Sequence, residues 1–360
     1  MNTDGPRTVT LKDVAKAAGV HVSTASRALD PSKSWRISPE TIARVNLAAE
    51  RLGYTPDMIA KGLKRGTTMM VGVVVPDLGN PFMGPMIRGI SEQVEQRGLV
   101  TVVTETLEDH DRLARTLNSL VARRVDAVVV AAARNTDLYL LAEFARKIPV
   151  FMLAVRNITA SGLPHVTQDD RHGGELAGEH LAELGHKVVA QLRGPADIEL
   201  FEDRNEGFRR AAATAGLVEV TVSESAREVT VGEGRRLMEL TLDQNRANPP
   251  TAVFGHADVM AIGAIEALEA RGLRCPDDVS VIGYDDAPLV SHVNPPLSTI
   301  RLPGDEIGKL AGAAVTHLMD DPSGTCAESI PAELIVRDST APPGDRDDLI
   351  ASLAPVPGLT

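Results

Sequence analysis

The residues with the clearest chemistry lie at the start of a short segment, residues 22–29, that the sequence predicts to be a helix. Its first turns and the residue before it carry His21, Val22, Ser23 and Arg27, which are expected to be exposed. An arginine can donate two hydrogen bonds to O6 and N7 of a guanine, and a valine can contact a thymine methyl group. These side chains indicate a helix that contacts base edges in the major groove of DNA.

A compact set of short helices would position these side chains. Thr10-Leu11-Lys12-Asp13 predicts a capping box at the start of a first helix, and Gly19 predicts its end. The segment 22–29 follows directly, and two short helices about a glycine turn are typical of a helix-turn-helix. A third helix is predicted to begin at Ser38-Pro39-Glu40 and to end at Gly53.

The distribution of charge favours the same function. The chain of 360 residues has a net charge of −12, which taken alone argues against nucleic acid. Residues 1–66, however, contain eleven Lys and Arg and six Asp and Glu, a balance of +5. The remaining chain contains 26 and 43 of these, a balance of −17. A small basic segment joined to a large acidic one is expected when one part of a protein meets phosphate.

From residue 71 onward, short β-branched runs alternate with amphipathic segments. The runs predict strands at 71–75, 100–103, 127–130, 188–192, 252–254 and 279–284, with helices at 83–97 and 110–123 among those between them. Such alternation is typical of parallel sheets that helices cover on both faces. We therefore predict an α/β body of two doubly wound lobes. The last segment, 341–360, is rich in Pro, Asp and Gly and predicts a disordered tail.

Other protein classes find little support in the sequence. Cys275 and Cys326 stand in no paired spacing, so neither a disulfide framework nor a zinc site is expected. Neither a signal peptide nor an apolar stretch of membrane-spanning length is evident, which favours a cytoplasmic protein without a membrane partner. No nucleophile elbow, HExxH, Walker loop or GxGxxG motif follows a strand, so we expect no enzyme, catalytic residue, metal or cofactor. We interpret His180, on an apolar helix face, as a packed side chain.

Several stretches together resemble the lactose/galactose-repressor (LacI) family. They occur in the family's order over nearly all of residues 8–340, and they include TLKDVAKAAGVHVSTASRALD (10–30), LGYTPDMIAKGLKRG (52–66), VGVVVPDLGNPF (71–82), DVMAIGAIEAL (258–268) and DDVSVIGYDDAPL (277–289). The resemblance implies a helix-turn-helix domain at 8–56, a hinge helix at 57–66 and a two-lobed domain at 69–340 that is similar to periplasmic binding proteins. One lobe is expected at about 69–165 with 301–326, and the other at about 166–300 with 327–340.

The resemblance also assigns roles in DNA binding. It implies that bases are read by Val22, Ser23 and Arg27. Contacts to the DNA backbone are implied for Thr10, His21, Thr24, Ser26, Lys61, Lys64 and Arg65. His21 stands where the family usually has a serine, so either the helix cap is weaker here or the imidazole supplies it.

In the implied hinge helix, Leu63 would wedge between base pairs in the minor groove, while Ile59 and Ala60 would pack against the partner's hinge. A flexible linker with an incidental leucine is the alternative interpretation. A helix this short is marginal alone and would form mainly on DNA, so both interpretations can hold.

A small-molecule effector is expected in the cleft between the lobes, at the carboxyl ends of the strands. The resemblance to the family places Asp77, Asn80, Phe82, Arg204, Asp258 and Asp285 at or beside that cleft, and Arg156, Asp170 and His256 are nearby polar candidates. Asp258 is equally well interpreted as a cap for the helix that follows it. Ala154 and Ala257 stand where the family often has polar residues, while Arg156, Asp170 and His256 lie nearby.

The sequence thus predicts a DNA-binding transcriptional regulator, with repression the expected output. One recognition helix reads few base pairs, so a homodimer on a palindromic operator of double-stranded DNA is expected. The effector is expected to be a sugar or a related metabolite, and its sign, as inducer or corepressor, stays open. Pairing of dimers into tetramers stays open too, although the tail has no heptad repeat. The apolar helix around residues 83–94 belongs either to the dimer surface or to the core. A periplasmic sugar-binding protein, the other alternative, would leave residues 1–66 unexplained.

Overall fold

The computed structural model describes residues 9–30, 34–54, 67–220, 222 and 224–353. The chain divides into two compact units, Met1–Thr68 and Met69–Thr360.

Residues 9–30 and 34–54 of the first unit contain three α-helices: α1 (Leu11–Ala17), α2 (Val22–Ala28) and α3 (Pro39–Leu52). The predicted capping box is confirmed, because both the backbone N and Oγ1 of Thr10 donate to Asp13 Oδ2, at 2.9 and 2.7 Å. Gly53 ends α3 in the left-handed region, at φ 65°. A small core holds the helices together through buried apolar residues that include Val14, Ala15, Ala25, Ala28, Val45 and Ala49. The predicted helix-turn-helix is thus confirmed.

The second unit contains two six-stranded sheets, one in each lobe. The strands of the first sheet are β1 (Met70–Val75), β2 (Val100–Glu105), β3 (Ala127–Val130), β4 (Val150–Ala154), β5 (His165–Gln168) and β11 (Ala327–Ile330). Those of the second sheet are β6 (Val188–Leu192), β7 (Val218–Glu219), β8 (Ala252–Gly255), β9 (Ser280–Asp285), β10 (Ser298–Arg301) and β12 (Glu333–Ile335). All six strands predicted from β-branched runs are present, with bounds that differ by at most two residues.

Both sheets have the strand order of a doubly wound fold. The first runs β11-β5-β4-β3-β1-β2 and the second β12-β10-β9-β8-β6-β7. Every pairing between described strands is parallel except that of β10 with β12. Because parallel strands need helical crossovers, helices cover both faces of each sheet. They are α4 (Met83–Glu95), α5 (His110–Ala122), α6 (Leu138–Phe144), α7 (Asp170–Glu183), α8 (Glu199–Ala215), α9 (Val231–Gln244), α10 (Asp258–Ala270), α11 (Gly304–Asp320) and the C-terminal α12 (Arg346–Ser352). Short 3-10 turns lie at Ser34–Arg36, Asn135–Asp137 and Thr159–Ser161.

The chain crosses between the lobes later than the resemblance implied. Residues 165–168 and 327–330 were expected at the lobe boundary or in the second lobe, but β5 and β11 pair with each other in the first sheet. The crossings therefore follow β5, β10 and β11. Gln168 links two of them, since its side-chain Nε2 donates to the carbonyl of Arg301 at 2.6 Å.

The apolar face of α4 belongs to the core of the first lobe. Its Met83, Met86, Ile90 and Val94 are buried, and the helix packs closely on α11. Gly89 and Gly308 make this close crossing possible, because a Cβ on either would collide with backbone of the facing helix. Of the two alternatives for this helix, the structure supports core packing for these four side chains.

The prediction of a disordered tail at 341–360 is wrong for residues 341–353; residues 354–360 lie outside the described part. Leu349 and Leu353, on and just after α12, are buried in the core of the second lobe. Hydrogen bonds hold the segment as well: His186 Nε2 donates to the carbonyl of Ala341 at 3.0 Å. Composition suggested disorder, but two apolar side chains and a few backbone contacts suffice to dock the segment. His180 is packed as expected, with Nε2 at 2.9 Å from Thr340 Oγ1.

The stability of the second lobe should fall in acid because of these histidines. Burial lowers the pKa of His186 to about 4, so its neutral form stabilises the fold fully above pH ~6.5 and this contribution is lost as pH falls towards 4. His186→Gln should therefore remove up to about 3 kcal/mol of the pH dependence of the free energy of unfolding over that range, measured by urea denaturation. His292→Gln, a change at an exposed histidine, is the control, and an equal effect of both changes would contradict the prediction.

Candidate DNA interface and effector site

The start of α2 presents its side chains on a well-capped helix. His21 is the N-cap residue, and its Nδ1 accepts a hydrogen bond from the backbone N of Ser23 at 3.2 Å. The same nitrogen lies 2.8 Å from the hydroxyl of Ser23. The imidazole thus supplies the cap that a serine usually provides. This result selects one of the two alternatives left open for His21.

The residues predicted to face DNA differ in exposure. Ser23 and Arg27 are exposed, as are Thr10 and His21, whereas Thr24 and Ser26 are half-buried. Val22 is half-buried and packs on the small core, so only part of its side chain is free for a base. The predicted hinge residues lie outside the described residues: Ile59, Ala60, Lys61, Leu63, Lys64 and Arg65.

Three of the nine predicted effector residues line one cavity between the lobes. Asp77, Asn80 and Arg156 surround about 280 Å³, together with Leu107 and Glu108 of the first lobe. The second lobe contributes residues 228–230. This volume is near the lower end of small-molecule pockets and fits a ligand of monosaccharide size.

Five other predicted residues are buried inside the second lobe instead. Arg204 is 2% exposed and lies at their centre. Its Nε donates to Asp170 Oδ1 at 2.8 Å, its Nη1 donates to the carbonyl of His256, and its Nη1 lies 3.9 Å from Asp285 Oδ1. The guanidinium also stacks on Tyr284, 3.5 Å from the ring centroid. Arg204 is therefore satisfied by the protein itself in this structure.

Burial and the charge of Arg204 have opposite effects on the pKa values of the carboxyl groups around it. Burial raises the pKa of Asp170 above its ordinary value, although Arg204 opposes the effect. Burial likewise raises the pKa of Asp285 well above the ordinary range, with Asp258 and Asp170 adding to the effect and Arg204 opposing it. The pair of Arg204 with Asp170 thus neutralises charge that water cannot reach.

His256 and Asp258 act as structural residues here. Burial holds the pKa of His256 well below its usual range, and this ring accepts from the backbone N of Gly194 at 3.3 Å. Asp258 accepts from the backbone N of Ala287 at 2.8 Å and from Thr299 Oγ1 at 2.6 Å. The N-cap of α10 is Ala257, without a side-chain cap. Asp258 therefore anchors the loop after β9, and its interpretation as a helix cap is wrong.

The remaining residue, Phe82, lies at a second cavity of about 420 Å³. Its ring is buried close to Gly304, and Asp285 and Asp286 line the same space. Asp286 accepts from Arg301 Nε at 2.9 Å and from Arg337, so it joins the crossing strands. The predicted effector residues thus lie at two cavities and in a buried cluster, and Asp285 belongs both to the cluster and to the wall of the second cavity.

Sequence reasoning missed an ion-pair network beside the first cavity. Glu108 accepts from both terminal nitrogens of Arg156, at 2.7 and 2.9 Å, and from Arg134 Nε at 3.1 Å. Arg134 Nη1 in turn donates to both carboxylate oxygens of Asp197 in the second lobe, at 2.7 and 2.8 Å. Of these residues, only Glu108 has a recognisable signal in the sequence, because it follows the carboxyl end of β2 as Asp77 follows that of β1.

Unusual backbone geometry concentrates at the same edges of the two sheets. Leu107 and Glu108 have φ values of 52° and 59°, and Val155 has 65°. In the second lobe, Asp285 and Asp286 have 126° and 52°. Residues other than glycine rarely adopt this region, and such strain often accompanies ligand sites. The geometry therefore favours a functional site at the cleft.

The described residues contain no group of three or more His, Cys, Asp or Glu arranged to hold a metal ion. Among the helices of that part of the chain, none has the length and apolar character to cross a membrane.

The chain is similar to known regulators over most of its length. The family described as "Bacterial regulatory proteins, lacI family" matches residues 10–57, and a "Periplasmic binding protein-like domain" matches residues 179–340. The HTH-type transcriptional repressor CytR of Escherichia coli K12 is 31% identical over 92% of this chain and 96% of its own length.

Two solved structures extend this similarity to the fold. A lac repressor dimer bound to operator and the anti-inducer ONPF has a TM-score of 0.83 and is 25% identical, covering 93% of this chain and 100% of that chain. A LacI family regulator from Enterococcus faecium with bound ribose has a TM-score of 0.64 and is 27% identical, covering 76% of this chain and 99% of that chain.

Removal of the buried guanidinium should destabilise the second unit. Arg204→Met leaves Asp170 and Asp285 buried without their cation, so the free energy of unfolding should fall by about 3–5 kcal/mol in urea denaturation. The control is Arg171→Met on α7, whose partners Asp203 and Glu206 are partly exposed; it should cost less than about 1 kcal/mol. Equal losses in the two variants would show that the buried pair has no special role.

Proposed function

This chain belongs to the lacI family of bacterial regulatory proteins, and we propose that it is a repressor that binds a palindromic operator as a homodimer. Its relatives are transcriptional regulators, so it is a DNA-binding regulator of transcription and not an enzyme. We further propose that a small molecule bound between the lobes changes its affinity for DNA. Since its target is the chromosome, it would act in the cytoplasm.

The capped start of α2, with Ser23 and Arg27 exposed, is the observation that carries the proposal. Arg27 would read a guanine through two hydrogen bonds, and Ser23 and the exposed part of Val22 would contact neighbouring bases. Thr10, His21, Thr24 and Ser26 would contact phosphates, which position the helix without reading sequence. One helix reads few base pairs, so two copies of the chain on two half-sites are proposed.

The hinge at 57–66 would add contacts in the minor groove. We propose that Leu63 wedges between base pairs at the centre of the operator, with Ile59 and Ala60 against the partner's hinge. Lys61, Lys64 and Arg65 would lie near phosphates. The similarity to a lac repressor dimer bound to operator supports this arrangement.

The effector would occupy the cavity lined by Asp77, Asn80 and Arg156. The regulator with bound ribose supports a sugar or related metabolite as its class. Contacts of Arg134 with Asp197 and of Thr159 with Glu199 join the lobes. A ligand that binds one arrangement of the lobes more tightly would shift their populations, and operator would change ligand affinity by the same factor.

Selection of sites from a random pool of duplex DNA by the full-length chain tests the function. We expect a palindrome to be enriched, and a shift of the measured affinity for that palindrome when a metabolite of the effector class is added. A pool without enrichment, both alone and with a panel of sugars and nucleosides, would overturn the proposal.

Arg27→Ala should weaken binding to the selected palindrome by roughly 5- to 150-fold, equivalent to the about 1–3 kcal/mol of one arginine–guanine contact. Because the contact specifies a base, the variant should also lose preference at one position of each half-site. Gel-shift titrations against the palindrome and its single-base variants measure both effects.

Arg51→Ala is the matched control, since Arg51 is exposed in the last turn of α3 and not on α2. Both changes remove one positive charge from the same unit. The control should leave base preference unchanged, and a similar change of preference in both variants would contradict the assignment of Arg27.

A further inference from the structure

The cavity between the lobes is lined by one cationic side chain, which is already paired within the protein. Of the described residues that line it, only Arg156 is cationic. Arg156 is 5% exposed, and both its terminal nitrogens donate to Glu108, at 2.9 and 2.7 Å. A bidentate pair of this kind uses the edge of the guanidinium that would otherwise bind a phosphate or carboxylate. The cation is therefore already neutralised inside the site.

Several contacts hold Glu108 in this position. Its Oε2 also accepts from Arg134 Nε at 3.1 Å, and its backbone is fixed in the left-handed region, at φ 59°. Burial alone would raise the pKa of Glu108, but hydrogen bonds and charge from Arg156 and Arg134 outweigh it and lower that pKa. Glu108 is thus a fixed carboxylate that a bound anion would have to displace.

The other polar side chains of the cavity are two carboxylates, Asp77 and Glu228, and two groups that can donate, the Asn80 amide and the Thr230 hydroxyl. Asp77 accepts from the backbone N of Gly79 at 2.7 Å through Oδ1, so its Oδ2 can accept a hydrogen bond from a ligand. Glu228 is exposed at the rim and adds a second negative charge. Asn80 accepts from the backbone N of Phe82 at 3.0 Å through Oδ1, which leaves its amide group as a donor. Hydroxyl and amino groups would find partners here, whereas anions would meet repulsion.

We infer that Glu108 sets the charge specificity of this cavity, so that its ligand is a neutral or cationic molecule rich in hydroxyl or amino groups and carries no phosphate or carboxylate. The inference rests on the proposed function, in which the effector binds in this cavity. It assigns to Glu108 a role that depends on its pairing with Arg156. Replacement of Glu108 by an uncharged residue should convert the cavity into an anion site.

Glu108→Gln tests this role, with inorganic phosphate as the probe and titration calorimetry of the full chain as the measurement. The variant frees Arg156, so it should bind phosphate at least ~10-fold more tightly than the unaltered chain does. Glu228→Gln removes one negative charge from the same cavity without freeing a guanidinium, and it should gain less than ~3-fold. Equal gains in both variants, or no gain in Glu108→Gln, would overturn the inference.

A double variant separates binding from a loss of stability. Glu108→Gln leaves Arg156 buried without its carboxylate and should lower the melting temperature, while phosphate should raise it again. In Glu108→Gln/Arg156→Gln the anion site is absent, so phosphate should leave the melting temperature unchanged. An equal rise in the single and double variants would place the phosphate elsewhere and refute the assignment.

A comparison of ribose with ribose 5-phosphate, on the unaltered chain, tests the natural preference. Tighter binding of the phosphorylated sugar would refute the inference, and binding of ribose alone would support it. Operator binding without ligand is measured on the same samples. Loss of operator binding would refute the proposed regulator while the anion-binding results still decide the role of Glu108, so the two failures can be distinguished.

Discussion

A charge that leaves water must be paired, and this requirement determines which polar side chains of the second unit stay available to a ligand. Arg204 meets it through Asp170, and Arg156 meets it through Glu108. Both arginines are almost fully buried, so neither can keep an unpaired charge. What remains for recognition is the set of groups at the cleft whose hydrogen-bonding capacity the protein has not used. The ligand preference of the site therefore depends more on these internal ion pairs than on the number of polar residues near it.

Local patterns and remote contacts differed in how well the sequence predicted them. β-Branched runs fixed the strands to within two residues, and the capping box at Thr10 was correct, because these depend on near neighbours. The ion pair of Arg134 with Asp197 joins residues 63 positions apart, and no spacing pattern predicts it. The same limit explains why the prediction of a disordered tail is wrong for residues 341–353 and why the chain crosses between the lobes later than predicted. Both features depend on which distant strand or core a segment contacts. The positions of the nine predicted effector residues also depend on such remote contacts, and the sequence did not predict which of them would be buried.

The ion pairs beside the cleft also link one lobe to the other. Glu108 pairs with Arg134, which holds Asp197 of the other lobe, so the residue that neutralises Arg156 is also linked to a contact between the lobes. Asn135 strengthens that contact through a backbone hydrogen bond to the carbonyl of Asp197 at 2.8 Å. A ligand that moves Glu108 would therefore alter a contact between lobes without touching it. Coupling of this kind requires only that the ligand favour one arrangement over another.

Ala154 and Ala257, which the resemblance marked as departures from the family pattern, also lie next to internally paired groups. Ala154 ends β4, and the left-handed turn at Val155 directs the next residue, Arg156, into the cavity. Ala257 caps α10 without a side-chain bond, while the preceding carbonyl, of His256, accepts from Arg204. The polar groups beside these alanines are thus the Arg156 side chain, two positions after Ala154, and the His256 carbonyl, one position before Ala257. His256 and Asp170 stay buried and serve Arg204, so of the three neighbouring polar candidates only Arg156 reaches the cavity, and it arrives there already paired.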